Sequence, residues 1–361
     1  LYSQVADQDV DAIAISHCHQ DHCGSLPVAL RHFPQARVLM TEPSYFLIER
    51  VLHNSVNVMK RQRIERNIPD YPLFHHNEVD EFSYLFQGFK YGKPEPWSPV
   101  RPGTADAPAP TVSFHPAGHV LGSAQIRLQA GGETWLVSGD YKRDRDPSCD
   151  PFSVVSTDVL ISEATFGLPI YRWPAGQQVA ADLLQWWREA PERASLLFCY
   201  AFGKAQRLLA ELHQLGVRDT VLLHGAMVPI TQAYRDEGIA MVPTEPVSSL
   251  PRNADLSGRL VLAPPSAHRS PWMKRFKAPQ TGFASGWMAV RGARRRRGYE
   301  RGFVLSDHAD WPGLLQTVRD SKAQQVYVTH GQSDVLARYL REVEGIASEP
   351  LSTLFEGEGE H

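Results

Sequence analysis

Residues 17–22 read His-Cys-His-Gln-Asp-His, and this run constrains the chain more than any other stretch. It follows Val10-Asp11-Ala12-Ile13-Ala14-Ile15, an apolar segment bounded by polar residues whose pattern predicts a buried strand. A strand ending in three imidazoles and a carboxylate delivers them together from a rigid support. Such a loop can hold two cations side by side, with His17 and His19 sharing one while Asp21 and His22 turn toward the other. Neutral imidazole and carboxylate suit zinc, with manganese or iron as alternatives. Histidine accounts for 15 of 361 residues, so three at this spacing around an aspartate exceed what composition alone would place there. Cys18 sits inside the loop at a position expected to point away from the cations and reads as a small packing residue.

One loop does not fill two coordination spheres. Phe114-His115-Pro116-Ala117-Gly118-His119-Val120-Leu121-Gly122-Ser123 is a glycine-punctuated turn between two strand-like runs. Of its histidines, His119 is the ligand candidate and His115 a strand-end side chain. Trp135-Leu136-Val137-Ser138-Gly139-Asp140 is an apolar strand ending in Gly-Asp. An acidic residue just past a strand end is well placed to bridge two cations. Asp after Gly is also ordinary turn chemistry, so Asp140 takes its weight from the histidine loop.

In that order, H-x-H-x-D-H, G-H-V-L-G-S and S-G-D resemble the metallo-β-lactamase fold. Three later segments resemble the acidic, histidine and third motifs of its nucleic-acid-processing branch, the β-CASP nucleases. These are Ser162-Glu163-Ala164-Thr165-Phe166, Leu305-Ser306-Asp307-His308-Ala309-Asp310 and Val326-Tyr327-Val328-Thr329-His330-Gly331. Val137-Ser138-Gly139-Asp140-Tyr141-Lys142-Arg143 and Phe283-Ala284-Ser285-Gly286-Trp287-Met288 are similar to the bacterial DNA-ligase-associated exonuclease group. The resemblance covers nearly the whole chain.

It implies an α/β fold: an αββα sandwich over residues 1–168, an inserted α/β cap over 169–303, and a return to the sandwich over 304–361. It implies a first metal held by His17, His19 and His119, a second held by Asp21, His22 and His330, and Asp140 bridging them. Glu163 would orient His308, and His308 would protonate the leaving oxygen, so Asp21, Asp140, Glu163 and His308 form the implied catalytic set. The roles are chemically coherent. Paired cations grip a phosphate oxygen and acidify water, and general acid catalysis contributes about 10²–10⁴-fold. The implied activity is a two-metal DNA exonuclease in repair, with single-stranded DNA as substrate and a DNA ligase and helicase as partners. The alternative is an RNA-processing nuclease, because the Leu52–Trp97 region, with Tyr71-Pro72-Leu73-Phe74, and a histidine in the third motif resemble RNA-cleaving relatives. Members usually carry a pair of strands ahead of the histidine loop, so a chain beginning at Leu1 is expected to lack them.

Composition fits a soluble enzyme, 42% hydrophobic with a net charge of −3. No apolar run reaches the roughly 20 residues that span a bilayer, and no signal peptide is visible. The four cysteines form no C-x-x-C pair, which fits a reducing cytoplasm. Charge distribution matters more than the total for nucleic acid. Arg294, Arg295, Arg296 and Arg297, flanked by Arg291 and Arg301, lie just before the His308 motif and are expected to hold phosphates. Lys204, at the start of an apparent helix, is expected to do the same. Tyr299 and Trp287 are candidate stacking platforms or core residues.

Periodicity predicts a helix over Leu26–Phe33, a strand over Arg37–Met40, and a hairpin turning at Gly131-Gly132 between Gln125–Leu128 and Thr134–Val137. Pro94 to Pro110 reads as an exposed loop. Beyond Tyr171, helices over Val179–Trp187 and Lys204–Leu215 alternate with strands at Ser195–Cys199, Val221–Leu223 and Leu260–Leu262, predicting a parallel sheet. A strand over Gln325–Val328 leads into His330.

Overall fold

The computed structural model describes residues 10–97, 109–290 and 298–351. The first sheet is parallel, in the order β1 (Ala12–Ala14), β2 (Arg37–Thr41), β3 (Phe86–Phe89). Parallel strands need crossovers. Helices α1 (Gln20–Cys23) and α2 (Leu26–His32) supply the first, and α3 (Glu42–Glu65) and α4 (His76–Phe82) the second.

The chain then lays down β4 (Glu95–Pro96), β5 (Thr111–Pro116), β6 (Ala124–Ala130), β7 (Glu133–Val137) and β8 (Val159–Glu163). The turn between β6 and β7 is the expected Gly131-Gly132, with φ of 58° and 85°, a conformation only glycine adopts without strain at both positions. β4 departs from the reading of Pro94–Pro110 as loop, because Glu95 and Pro96 pair with Val112 and Thr111. A two-residue edge strand tolerates the proline, whose missing N–H would face away from the sheet.

After β8 the chain leaves to build a separate all-parallel sheet. Its strands are β9 (Ser195–Phe198), β10 (Val221–Leu223), β11 (Thr244–Pro246), β12 (Leu260–Ala263), β13 (Gln280–Ala284) and β14 (Arg301–Phe303), in the order β11-β10-β12-β9-β13-β14. Every residue of β9 is buried, as a central strand covered on both faces requires. Helices α5 (Gly176–Arg188), α6 (Lys204–Gln214) and α7 (Val228–Asp236) join these strands. In α5, Val179, Leu183, Trp186 and Trp187 recur at helical spacing and are buried.

The chain returns through helix α8 (Trp311–Ser321), β15 (Gln325–Thr329), helix α9 (Ser333–Tyr339) and β16 (Ala347–Pro350). The second sheet is then complete in the order β16-β15-β8-β7-β6-β5-β4. Ala12 and Leu39 of the first sheet pack on Val112, Phe114, Ala124 and Ile126 of the second, forming the interior between them. On the outer faces, Leu47, Leu52 and Val56 of α3 cluster with Val38 and Met40, while Leu314 and Val318 of α8 cluster with Leu160, Val326 and Val328. Helix, sheet, sheet and helix thus stack in that order, with the six-stranded sheet inserted between β8 and β15. Among the described residues no helix is long and apolar enough to cross a membrane.

Candidate metal centre

The strand ends of both sandwich sheets open on one another at Asp140. A single oxygen, Asp140 Oδ2, lies 3.2 Å from His22 Nε2, 3.6 Å from His17 Nε2, 3.8 Å from His119 Nε2 and 4.0 Å from His308 Nδ1. Three groups of potential ligand atoms share this carboxylate: His17, His19 and His119; Asp21 and His22; and Glu163 and His308. Within each group the atoms lie within 4.8 Å of one another. Sequence separation is bridged by topology. His17 to His22 follow β1, His119 follows β5, Asp140 follows β7, and Glu163 ends β8.

The first three histidines converge tightly. His19 Nδ1 lies 3.1 Å from His17 Nε2 and 3.0 Å from His119 Nε2. Each inward nitrogen has a partner behind its ring. Ser16 Oγ lies 3.1 Å from His17 Nδ1 and 3.3 Å from His22 Nδ1, and one hydroxyl oxygen can accept from both N–H groups. His119 Nδ1 donates to the Asp307 carbonyl at 2.7 Å, and His19 Nε2 reaches the Phe202 carbonyl at 3.4 Å. These partners place the protons outside and the lone pairs inside, the tautomers a metal requires.

Electrostatics agree. Burial, followed by the neighbouring imidazoles, holds His17 and His119 well below their ordinary pKa of 6.5. Burial lowers His19 as well. For His22 burial acts in the same direction, but the Asp140 charge and hydrogen bond outweigh it and raise the pKa. Asp140 would be raised by burial, yet His22 and His308 hold it well below the usual carboxylate range. A dense set of neutral imidazole lone pairs around an ionised carboxylate fits divalent cations.

His308 is held by Glu163. Its Nδ1 lies 2.9 Å from Glu163 Oε2 and 3.1 Å from Oε1. Glu163 is fixed in turn by the Tyr141 N–H at 2.8 Å and the Thr165 hydroxyl at 2.5 Å. His308 Nδ1 is thus committed to the Glu163 carboxylate. Trp173 Nε1 donates to the His308 carbonyl at 2.9 Å, and Phe166, Tyr171 and Trp287 form an aromatic wall beside it.

The remaining sequence candidates lie at varied distances from Asp140. His330 lies at the rim, its ring 6.4 Å from that of His22 and outside the three convergent groups. Its φ of 64° is left-handed, and the following Gly331 packs against Ala164 and Thr165 where a Cβ would clash at 2.4 Å. Asp21 is mostly exposed, 3.7 Å from His22 Nε2. Lys204, expected at a phosphate, is instead buried at 4% exposure and 3.3 Å from Asp307 Oδ2. An ammonium so enclosed neutralises its buried partner and presents nothing to a ligand. Arg294, Arg295, Arg296 and Arg297 lie outside the described residues. Tyr299 stacks on Phe283 at 4.9 Å and belongs to the core of the six-stranded sheet. His115 bonds to Ser113 Oγ at 3.0 Å, away from the cluster, and the Cys18 thiol faces the Ser44 carbonyl at 3.4 Å. Ser16, Phe202 and Asp307 were missed. Two of them neighbour singled-out residues, but their role is a backbone or hydroxyl contact that no motif encodes.

Residues 2–186 match the Metallo-beta-lactamase superfamily, and the chain belongs to that family. It is 35% identical over 234 residues to a probable DNA ligase of Opitutus terrae, covering 64% of this chain and 22% of the relative. It is 28% identical to a ribonuclease of Thermus thermophilus, covering 64% and 48%. It is 29% identical to an endoribonuclease of Saccharomyces cerevisiae, covering 64% and 29%. The chain therefore spans half or less of these relatives' own length.

Proposed function

We propose that this protein is a metal-dependent nuclease that hydrolyses phosphodiester bonds, acting on DNA ends in repair alongside a DNA ligase and a helicase. The observation that carries the reading is the placement of four histidines around Asp140 Oδ2. In it, His17, His19 and His119 would hold one divalent ion, and Asp21, His22 and His330 a second, with Asp140 shared by both sets. The donor set suits zinc, with manganese or iron next. When bound, such a pair supplies acidified water and polarises a phosphoryl oxygen.

The chain's own residues do the rest. Ser16, Phe202 and Asp307 hold the ligand rings in register. Glu163 fixes His308 through Nδ1, so a proton on Nε2 can pass to the departing sugar oxygen. The aromatic wall at Phe166, Tyr171 and Trp287 shields that transfer from bulk water. The relative named a probable DNA ligase supports DNA as the polymer. The two ribonuclease relatives support RNA as the second reading. Four free cysteines fit action in the reducing cytoplasm.

The test is hydrolysis of matched labelled DNA and RNA single strands with zinc or manganese, in the wild type and in Asp140→Ala. Metal-dependent shortening of DNA that disappears with Asp140 is expected. Cleavage of RNA alone would transfer the assignment to RNA processing, and undiminished cleavage without Asp140 would overturn the metal centre as its source.

A further inference from the structure

Away from Asp140, α3 and α4 bring a second pair of histidines face to face. His53 lies in α3 with Asn57 one turn later, and His76 opens α4 with Asp80 one turn later. The contacts cross between the helices. His53 Nε2 lies 3.1 Å from Asp80 Oδ1, and His76 Nε2 lies 3.2 Å from Asn57 Oδ1. Asp80 Oδ1 only accepts, so His53 carries a proton on Nε2, while His76 Nε2 meets the side-chain amide of Asn57. The two Nδ1 atoms face each other at 2.9 Å. The rings lie stacked, 5.1 Å between centroids and 27° between planes.

Ring nitrogens at that distance are joined by a shared cation, a proton or a metal ion. The same close approach of imidazole nitrogens, 3.0 and 3.1 Å, marks the centre around Asp140. Metal–imidazole bonds are about 2.0–2.1 Å, so nitrogens this close subtend roughly a right angle at a shared ion, as neighbouring ligands in tetragonal or octahedral geometry do. Asp80 and Asn57 then act as the outer partners that fix tautomer and ring orientation.

We propose that His53 and His76 bind one divalent transition-metal ion of the nickel–copper–zinc series, distinct from the centre around Asp140. Water completes its coordination, since the His53 side chain is one-third exposed, 33%. The ion clips α4 onto α3 and so anchors the second crossover of the first sheet.

The probe is the metal alone. The protein is equilibrated with buffered free Zn²⁺, and then with Ni²⁺, and bound metal per chain is measured by mass spectrometry. Wild type is compared with His53→Gln, His76→Gln and the double variant, each checked for native circular dichroism. The wild type is expected to hold one equivalent more than every variant, and the same difference is expected when all carry Asp140→Ala, which separates this site from the proposed nuclease centre. Thermal melting gives a second readout: added metal should raise the midpoint of the wild type further than that of the double variant. Cu²⁺ bound in the Asp140→Ala background should show coupling to two imidazole nitrogens by paramagnetic resonance. Equal metal content in wild type and variants overturns the proposal and leaves a shared proton as the cation between the rings.

Discussion

Lys204 Nζ stands 3.3 Å from Asp307 Oδ2 with both side chains buried, joining the inserted domain to the segment that carries His308. Asp307 would be raised by burial, but Lys204, Lys142 and Arg207 hold its carboxyl below the ordinary range. The carbonyl of the same Asp307 orients His119, so a charge pair and a ligand contact meet in one residue.

Replacing Lys204 by methionine leaves that carboxylate buried with one of its partners lost. Removing one member of a buried pair costs about 3–5 kcal/mol, which urea unfolding measures directly. Lys204→Met should also weaken metal binding, by about 10–100-fold if the Asp307 carbonyl shifts from His119. Adding Asp307→Asn should recover much of the stability, and the double-mutant cycle isolates the coupling.

His308 and Glu163 test the proton-transfer role. His308→Ala should lower turnover by about 10²–10⁴-fold with metal content unchanged. Loss of a metal equivalent would instead make His308 a ligand, since its Nδ1 lies 4.0 Å from Asp140. Glu163→Gln should fall in the same range and alter the pH profile, because a neutral amide no longer favours the imidazolium.

Gly203 caps α6 with φ of 90°, and a Cβ there would sit 2.4 Å from Val120 Cγ1. Gly203→Ala should therefore destabilise the protein by about 1–3 kcal/mol through backbone strain and overpacking. Because Phe202 supplies the carbonyl behind His19, metal affinity should drop as well. Differential scanning calorimetry with and without zinc separates the two effects.

Acid should destabilise the metal-free protein. Unfolded imidazoles take up a proton near 6.5, while folded His17, His19 and His119 resist it because they are buried. The unfolded state then binds more protons, so their contribution is complete above 6.5 and is lost as pH falls toward their folded values. His22 runs oppositely: its raised pKa adds stability below 6.5 that is lost as pH rises through the folded value. Three groups against one give a net decline on acidification. Urea midpoints at pH 7.5 and 5.5 provide the check, and a higher midpoint at pH 5.5 would show the His22–Asp140 pair dominating.

Much of this site is legible in the chain because the ligands are local signals at strand ends. The His17–His22 loop, His119 within its glycine turn and Asp140 after an apolar strand each stand out before any folding, and β2, α2, α5 and the Gly131-Gly132 hairpin follow from periodicity. What was not legible depends on partners far along the chain. Lys204 looks like a phosphate contact until Asp307 is folded against it, and Ser16 becomes a support for two rings only once His22 curls back beside His17. Proline-rich composition likewise hides β4, whose pairing is decided by Thr111 and Val112.

The insertion of the six-stranded sheet bears on the pairing of His308 with Glu163. The polypeptide departs from the sandwich immediately after Glu163 and re-enters it just ahead of His308. Donor and anchor are therefore the two lips of a single seam, 2.9 Å apart. Excising the intervening module would remove the chain that carries one lip back to the other.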